Sequence, residues 1–267
     1  MRFGYCLDIK FLDGDKTSRT IFDAVAQAGF DYVELPLSAL AQLPVDRVLN
    51  LKHELEVIPC RACNLFFTPD ITIVGSQMNI PAIRAYLERM LPLVADLGVE
   101  NLVFGNGSAR NVPDGFNRDF ILENLRTLVE IMNEYANYTG ITIAVEPLNL
   151  TETNIINCYS SAVRLTEGLS HVSAMIDSYH VAMDKQNYDD VYKNPEALKH
   201  LHIAYPIGRM VPSHSDDIYL YTQFRNMVAD VDYNNKISIE GRLRAKEPDG
   251  IGKEIKSCLA LLNKLWR

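Results

Sequence analysis

The sequence lacks several features that mark whole classes of protein. Its 267 residues contain only five cysteines, scattered along the chain, which argues against a disulfide scaffold and predicts free thiols in a reducing compartment. No uninterrupted run of about 18 apolar residues is present, so no membrane span is expected. The first residues contain no hydrophobic core of a signal peptide. We therefore expect a cytoplasmic protein.

A concentration of positive charge is also missing. The formal net charge is −8, and no stripe of lysine and arginine interrupts the acidic residues spread along the chain. Proteins that bind nucleic acid normally present clustered basic side chains to the phosphates, so neither DNA nor RNA is an expected partner. With 48% hydrophobic and 22% charged residues, the composition is that of a globular protein able to bury a large core.

What the sequence does contain is a regular alternation of short apolar runs and longer amphipathic segments. The runs are rich in valine, isoleucine and tyrosine, as is typical of buried strands. They lie at Phe3–Cys6, Tyr32–Leu35, Val57–Ala62, Asn101–Phe104, Ile141–Val145, Val172–Ile176, His200–Ala204 and Ile237–Ile239. The segments between them have the apolar spacing of helices, and three of these end at Gly29, Gly98 and Gly140.

Eight strand–helix units in a chain of this length predict an α/β fold of the (β/α)8 type, a TIM barrel, formed by residues 1–267 as a single domain. The structural alternative is a doubly wound open sheet. That fold usually has a glycine-rich GxGxxG turn after its first strand, which GYCLDIKFLDGDK lacks. We therefore favour the barrel.

One CxxC motif, Cys60 to Cys63, stands alone in the chain. On a strand the two sulfurs of such a motif should point to opposite faces, which does not suit a shared zinc ion. We predict buried, inert thiols.

Charged and imidazole side chains end or occupy the last four strands of the predicted barrel. These side chains belong to Glu146, Asp177, His202 and Glu240. Because barrel enzymes place their active sites at the carboxyl ends of the strands, the four side chains should meet at one rim. Each has an ordinary alternative as a solvated loop residue, a helix cap or a satisfied core histidine. Carboxylates that follow apolar runs are nevertheless costly to bury unless they are paired or bind a metal. We predict that the four residues bind one divalent ion.

Three carboxylates and one imidazole suit Mn²⁺, Mg²⁺ or Co²⁺, and zinc is also compatible with them. Strands 5 and 8 are three positions apart in a ring of eight, so Glu146 and Glu240 should approach a substrate from different sides. We predict that these two are the catalytic pair, one removing a proton next to a carbonyl and the other returning it, while the metal stabilises an enediolate. A retaining glycosidase also needs two carboxylates, but not the Asp and His between them.

These motifs resemble those of the xylose isomerase-like TIM-barrel superfamily of sugar phosphate isomerases and epimerases. The resemblance is greatest to the ketose 3-epimerases of the tagatose and psicose type. The segments EPLNLTE, IDSYH and HLH are similar to the family motifs of strands 5, 6 and 7. The resemblance implies that the same four residues bind the metal and that Glu152 and His180 bind the substrate.

The chain also departs from the epimerase pattern. In the family an arginine follows the strand-7 histidine by six residues in a GExxR setting, whereas Arg209 follows His202 by seven. Strand 8 continues as IEGRL where the family has MEPF. The metal site is therefore expected to transfer, whereas the identity of the sugar is not. Arg209 and, at the end of strand 2, Glu34 are predicted substrate contacts. Further candidates at the ends of strands 3 and 4 are Asn64, Asn106 and Arg110.

The sequence thus predicts a metal-dependent sugar isomerase or epimerase that acts on a small ketose or polyol. Hydroxypyruvate isomerase and inosose dehydratase activities are alternatives, because both use similar chemistry on small substrates. A non-catalytic sugar-binding relative is the alternative of another class. A DNA-repair endonuclease of the same superfamily is disfavoured, since the strand ends CNLFF and FGNGS contain no histidine. The sequence leaves open the sugar, the metal and whether the chain forms a homo-oligomer.

Overall fold

The structure is a computed structural model that describes residues 1–213 and 215–266. Its eight described strands form a closed parallel barrel in sequence order, in which β8 also pairs with β1. The strands are β1 (Arg2–Cys6), β2 (Tyr32–Pro36), β3 (Cys60–Asn64), β4 (Asn101–Phe104), β5 (Thr142–Val145), β6 (Val172–Asp177), β7 (Leu198–Ile203) and β8 (Lys236–Ile239). This closed sheet confirms the (β/α)8 barrel and excludes the doubly wound open sheet.

Helices connect successive strands and cover the outside of the barrel. The described α-helices are α1 (Lys16–Ala28), α2 (Leu37–Leu40), α3 (Val45–Glu54), α4 (Ile80–Asp96), α5 (Arg118–Thr139), α6 (Tyr159–Thr166), α7 (Ser178–Met183), α8 (Asp189–Lys193), α9 (Thr222–Asp230) and α10 (Pro248–Trp266). Gly29 and Gly140 cap α1 and α5 in the left-handed conformation, as their positions in the sequence predict. Within the described part of the chain, no helix is both long and apolar enough to cross a membrane.

The predicted strand boundaries hold to within one or two residues, except at the third strand. Residues 57–59 were predicted to be part of a strand, but β3 begins only at Cys60. Val57 is 67% exposed and Pro59 lacks the N–H that a central strand needs for its ladder, so these residues belong to the connection.

The register between β2 and β3 shifts by one residue. Val33 pairs with Cys60 and Glu34 with Ala62, so the residue between the two partners on β3 is extra. A bulge of this kind interrupts the alternation of faces along a strand. Burial, and then the neighbouring thiol of Cys60, raises the pKa of the Cys63 thiol well above its ordinary value. The two thiols therefore lie near each other and not, as the sequence predicts, on opposite faces of the strand. Both cysteines are buried and free, as predicted.

The interior of the barrel has an apolar side and a polar side. Val103, Ala144 and Met175 form a small buried apolar cluster on one side. The polar side consists of fully buried Tyr32, Glu34, His200, His202 and Ser238. Gly4 makes room for the ring of Tyr32, because a Cβ at this glycine would overlap the ring. The strand ends above this polar side form the rim that carries the candidate site.

Candidate metal centre

Four consecutive strands bring their predicted ligands together at the carboxyl rim of the barrel. Glu146, Asp177, His202 and Glu240 each offer a ligand atom, and these atoms lie within 4.8 Å of one another. The first three side chains are buried, whereas that of Glu240 is 23% exposed. The site is therefore shielded from bulk water but open on the side of β8.

The register of the strands explains this convergence. Asp177 is the pairing partner of His202 across β6 and β7, and His202 is the partner of Ser238 across β7 and β8. The N–H of Glu240 donates to the carbonyl of Ile203, which extends the β7–β8 ladder by one step. The backbone therefore places Asp177 level with His202, and Glu240 two residues beyond the partner of His202 on the same face of β8.

The two nitrogens of His202 face different carboxylates. Nδ1 is 2.9 Å from Glu240 Oε2 and 3.6 Å from Glu146 Oε1, on the side of the candidate ligands. Nε2 is 2.9 Å from Glu34 Oε1, on the side of the barrel interior. Burial alone would lower the pKa of His202, but the charges of Glu34 and Glu240 outweigh burial and raise it well above its ordinary value.

The carboxylate of Glu240 is strongly held in its ionised form. Burial alone would raise its pKa, but the charge and hydrogen bond of His202, and then the charge of Arg209, lower it to about 2. Glu240 is therefore an anion at neutral pH, as both a metal ligand and a general base must be.

The donor set fits a divalent cation. Glu146 Oε1 and His180 Nε2 are buried and, within the described residues, have no hydrogen-bond partner. Because buried polar atoms are normally satisfied, these unpaired atoms beside three carboxylates indicate a place for a ligand. Carboxylate oxygens with one imidazole nitrogen suit Mn²⁺, Mg²⁺ and similar ions. Glu146, Asp177, His202 and Glu240 are the residues that could hold such an ion.

A second group, Cys6 with Glu34 and His202, also has the spacing of metal ligands. Burial, and then the charge of Glu34, raises the pKa of the Cys6 thiol well above its ordinary value. A protonated thiol is a poor ligand, because metals bind the thiolate. The set with three carboxylates is therefore the better candidate.

His180 and Glu152, the two residues near Glu146 that the sequence predicts to bind substrate, are both hydrogen-bonded to Asn149. His180 Nδ1 accepts hydrogen bonds from the side chain of Asn149 at 2.8 Å and from its backbone N–H at 3.3 Å. Since both partners are donors, Nε2 carries the proton of the neutral ring, 3.6 Å from both Glu146 Oε1 and Asp177 Oδ2. The Asn149 amide also donates to Glu152 at 2.9 Å. Asn149 thus orients both His180 and Glu152.

Arg209 reaches the candidate site despite its shifted position in the sequence. Its Nη2 lies 2.6 Å from Glu240 Oε2 and 3.1 Å from Asp177 Oδ2, and its Nη1 lies 3.6 Å from Glu152. The guanidinium also lies over the ring of Tyr179, 4.9 Å from its centroid. Backbone φ is 50° at Arg209, and this left-handed turn directs the side chain into the mouth of the barrel.

Other candidates from the strand ends have mainly structural contacts. The side chain of Asn106 both accepts from and donates to the backbone of Phe67. Arg110 is fully buried and donates to the carbonyls of Phe104 and Glu146, at the ends of β4 and β5. Glu34 is fully buried below the rim, beside His200 and His202.

Two features of the site are not predicted from the sequence: the role of Asn149, and the contact of Arg110 with Glu146. Asn149 belongs to the EPLN segment, and its place three residues after the strand-5 glutamate is a usable signal. The hydrogen bond from Arg110 to the Glu146 carbonyl cannot be predicted from a local sequence pattern, because the two residues are 36 positions apart in the chain.

Comparison with known proteins agrees with this fold. A family model described as xylose isomerase-like TIM barrel matches residues 22–261. Among characterised relatives, 3-dehydro-D-guloside 4-epimerase of Escherichia coli K12 is 30% identical over 176 residues, which are 61% of this chain. Ketose 3-epimerase of Arthrobacter globiformis is 24% identical over 181 residues, which are 67% of this chain. The matched stretches span 64% and 62% of these relatives, a little under two thirds of their length.

Solved structures share the fold over the whole chain. The apo structure of 3-keto-D-glucoside 4-epimerase from E. coli superposes with a TM-score of 0.76 at 20% identity and covers 99% of both chains. The structure of D-psicose 3-epimerase from Clostridium cellulolyticum H10 with D-tagatose gives a TM-score of 0.78 at 17% identity, again over 99% of both chains.

Proposed function

The chain belongs to the xylose isomerase-like TIM-barrel family, and we propose that it is a divalent-metal-dependent sugar epimerase. The observation that carries the proposal is the convergence of Glu146, Asp177, His202 and Glu240 at the ends of four consecutive strands. The names of the two relatives, a 3-dehydro-guloside 4-epimerase and a ketose 3-epimerase, support the choice of reaction. In both names the inverted carbon adjoins a carbonyl carbon, where a proton is acidic enough to be removed.

In the proposed reaction Glu146 and Glu240 form the acid–base pair. They directly follow β5 and β8, which are three strands apart, so a sugar bound between them presents a different side to each. One carboxylate removes the proton beside the carbonyl, and the other returns a proton from the opposite side. A bound divalent ion would supply a Lewis acid that stabilises the negative charge on the substrate oxygens.

The remaining polar residues of the rim are suited to hold the sugar. His180 presents an Nε2–H donor, Arg209 presents a guanidinium, and Glu152 is a carboxylate with a side chain 37% exposed. Together they offer donors and acceptors for hydroxyl groups around the reacting carbons. We include in the proposal that residues 1–267 act as one barrel domain on a small sugar in the cytoplasm.

A turnover panel tests the proposal. The metal-loaded protein is incubated with D-fructose, D-tagatose, D-psicose, 3-keto-glucosides, hydroxypyruvate and inosose, and the products are identified by chromatography and NMR. Inversion at the carbon beside the carbonyl in a ketose or a 3-keto-glycoside is the expected result. If the carbonyl group itself moves along the chain of the sugar, the protein is an isomerase and not an epimerase. If inosose loses water, the protein is a dehydratase.

Two variants separate an enzyme from a sugar-binding relative. Glu146→Gln and Glu240→Gln keep the size of the side chain but remove its ability to accept a proton. Each should abolish turnover of any substrate found in the panel. Turnover that survives in both variants contradicts the proposed acid–base pair, and the absence of turnover of every substrate by the metal-loaded wild type contradicts the proposed enzyme.

A further inference from the structure

A buried carboxylate that the proposed reaction does not use lies below the candidate metal centre. Glu34, on β2, has a fully buried side chain. We infer that Glu34 is a positioning residue for the metal centre, because its carboxylate binds Nε2 of His202 and thereby directs Nδ1 to the metal. This inference rests on the proposed function and replaces the substrate contact that the sequence predicted for Glu34.

His202 is the one imidazole in the candidate ligand set, so its ring orientation matters for the whole site. The Nε2–H donates to Glu34 Oε1 at 2.9 Å, and only Nδ1 then faces Glu146 and Glu240. The ring of His200 packs edge-on against that of His202, with centroids 5.0 Å apart and planes at 79°. A hydrogen bond and a ring contact therefore fix both the tautomer and the plane of His202.

Both oxygens of Glu34 are already occupied by protein donors. Oε1 accepts from His202, and Oε2 accepts from His200 Nε2 at 2.9 Å and from Ser238 Oγ at 2.6 Å. The hydroxyl of Tyr32 donates in turn to Ser238 at 2.8 Å, which leaves the serine proton for Glu34. With three donors and no exposed surface, this carboxylate is arranged to serve its neighbours rather than a sugar at the rim.

The position of the Glu34 carboxylate inside the barrel also has to be explained. Interiors of such barrels are dominated by branched apolar side chains, which fill them without a desolvation penalty. An ionised carboxylate in the interior costs several kcal/mol before its partners compensate for the loss of water. A metal centre next to Glu34 explains why a charged group is present there. A carboxylate behind a ligating histidine holds the ring and makes it a stronger ligand.

Metal binding measured by calorimetry tests the inference without relying on turnover. Metal-free wild type, Glu34→Gln and Ser238→Ala are titrated with Mn²⁺, and Asp177→Ala serves as the variant that lacks a ligand. Loss of a carboxylate behind a ligating histidine typically weakens metal affinity by about 10- to 100-fold, which is the loss expected for Glu34→Gln. Ser238→Ala leaves the bond between Glu34 and His202 in place and should stay within a few-fold of wild type.

The outcomes distinguish this inference from the function on which it rests. If wild type binds no metal ion, the proposed metal centre itself fails. If wild type binds Mn²⁺, Asp177→Ala does not, and folded Glu34→Gln binds as tightly as wild type, only the role of Glu34 is overturned. A raised KM in Glu34→Gln with unchanged metal affinity would restore the substrate contact predicted from the sequence.

A second measurement needs no variant at Glu34. Proton–nitrogen correlation spectra of the wild-type histidines, recorded with diamagnetic Zn²⁺ bound, report which ring nitrogen carries the proton. The inference predicts a proton on Nε2 of His202 and none on Nδ1. The reverse tautomer would overturn the inference even if Glu34→Gln failed to fold.

Discussion

At the scale of single residues, Arg209 has two opposing relationships with the candidate metal centre. Its guanidinium donates to the carboxylates of Asp177 and Glu240, two of the four residues that could hold a metal ion. Burial alone would lower the pKa of Arg209, but Glu240 and Asp177 raise it above its ordinary value, so the group stays cationic. The positive charge of Arg209, held beside Asp177 and Glu240, repels a divalent ion bound by these residues. The same charge attracts a polar substrate.

We therefore expect Arg209→Ala to bind Mn²⁺ more tightly and substrate more weakly than wild type. A unit charge about 5 Å from a divalent ion is worth several kcal/mol at an effective dielectric constant of about 20. Water screens part of this repulsion because the Arg209 side chain is 25% exposed, so we expect a gain of about 10-fold or more in metal affinity. Arg209→Lys keeps the charge and should show metal affinity near wild type. Calorimetry and the KM of any substrate found in the panel measure the two effects. Weaker metal binding in Arg209→Ala would show that Arg209 supports the ion instead of opposing it.

At the scale of elements, the turn after β4 determines where the side chain of Glu146 lies. Gly105 follows β4 directly, and a Cβ at this position would collide with Glu146 Oε2. The carboxylate can therefore lie across the end of β4 only because this residue has no side chain. The sequence FGNGS at this strand end thus carries information about the site although it offers no ligand.

Gly105→Ala should displace the Glu146 carboxylate while leaving the barrel folded. Misplacement of a catalytic group by about 1 Å can cost about 100-fold in rate, and we expect a loss of this order in kcat together with weaker Mn²⁺ binding. Gly252→Ala, on α10, is the matched control, because a Cβ there meets nothing within 4 Å. Full activity in Gly105→Ala would mean that Glu146 does not need its present position.

Strands and their ends can be predicted from the sequence, whereas contacts between distant strands cannot. Apolar runs that end on Glu146, Asp177 and Glu240 predict both the strands and the rim, because strand length and barrel topology are encoded locally. The bulge in β3 depends on pairing with β2, and no local pattern in the run before Cys63 reveals it. The burial of Glu34 depends likewise on partners about 170 residues away. A strand-end position alone therefore does not distinguish a substrate contact from a supporting residue.

At the scale of the whole molecule, the end of the barrel opposite the candidate site is closed by an ion cluster. Glu100 Oε2 lies 2.7 Å from Lys236 Nζ and 2.7 Å from Arg2 Nη2. The Lys236 side chain is 2% exposed, whereas that of Glu100 is 39% exposed. The hydrogen bond from Arg2, and then that from Lys236, lowers the pKa of Glu100 to about 2.

Glu100→Gln should lower the free energy of unfolding at pH 7 by about 1 kcal/mol or somewhat more, because Lys236 stays buried without an anion. The pKa of Glu100 is depressed, so its stabilising effect is fully present above the ordinary pKa of 4.5 and is lost as pH falls through about 2. The difference in Tm between wild type and variant should therefore narrow as pH is lowered from 5 towards 2.

Glu134→Gln is the control for this cluster, because Glu134 pairs with Arg84 on the surface, where both side chains are about half exposed. Its Tm should stay close to wild type at every pH. A Tm difference for Glu100→Gln that is independent of pH would assign the effect to packing and not to the charge of Glu100.

In the proposed reaction the four residues at the rim hold a metal ion, and Glu146 and Glu240 move a proton beside a sugar carbonyl. NMR of the reaction in D₂O follows this proton, with metal-loaded, metal-stripped and Glu240→Gln protein acting on the best substrate of the turnover panel. We expect deuterium to enter at the inverted carbon with the loaded wild type and in neither of the other two samples. Inversion without deuterium under every condition would contradict the proposed proton transfer. Equal deuterium incorporation by metal-stripped protein would contradict the role of the metal ion.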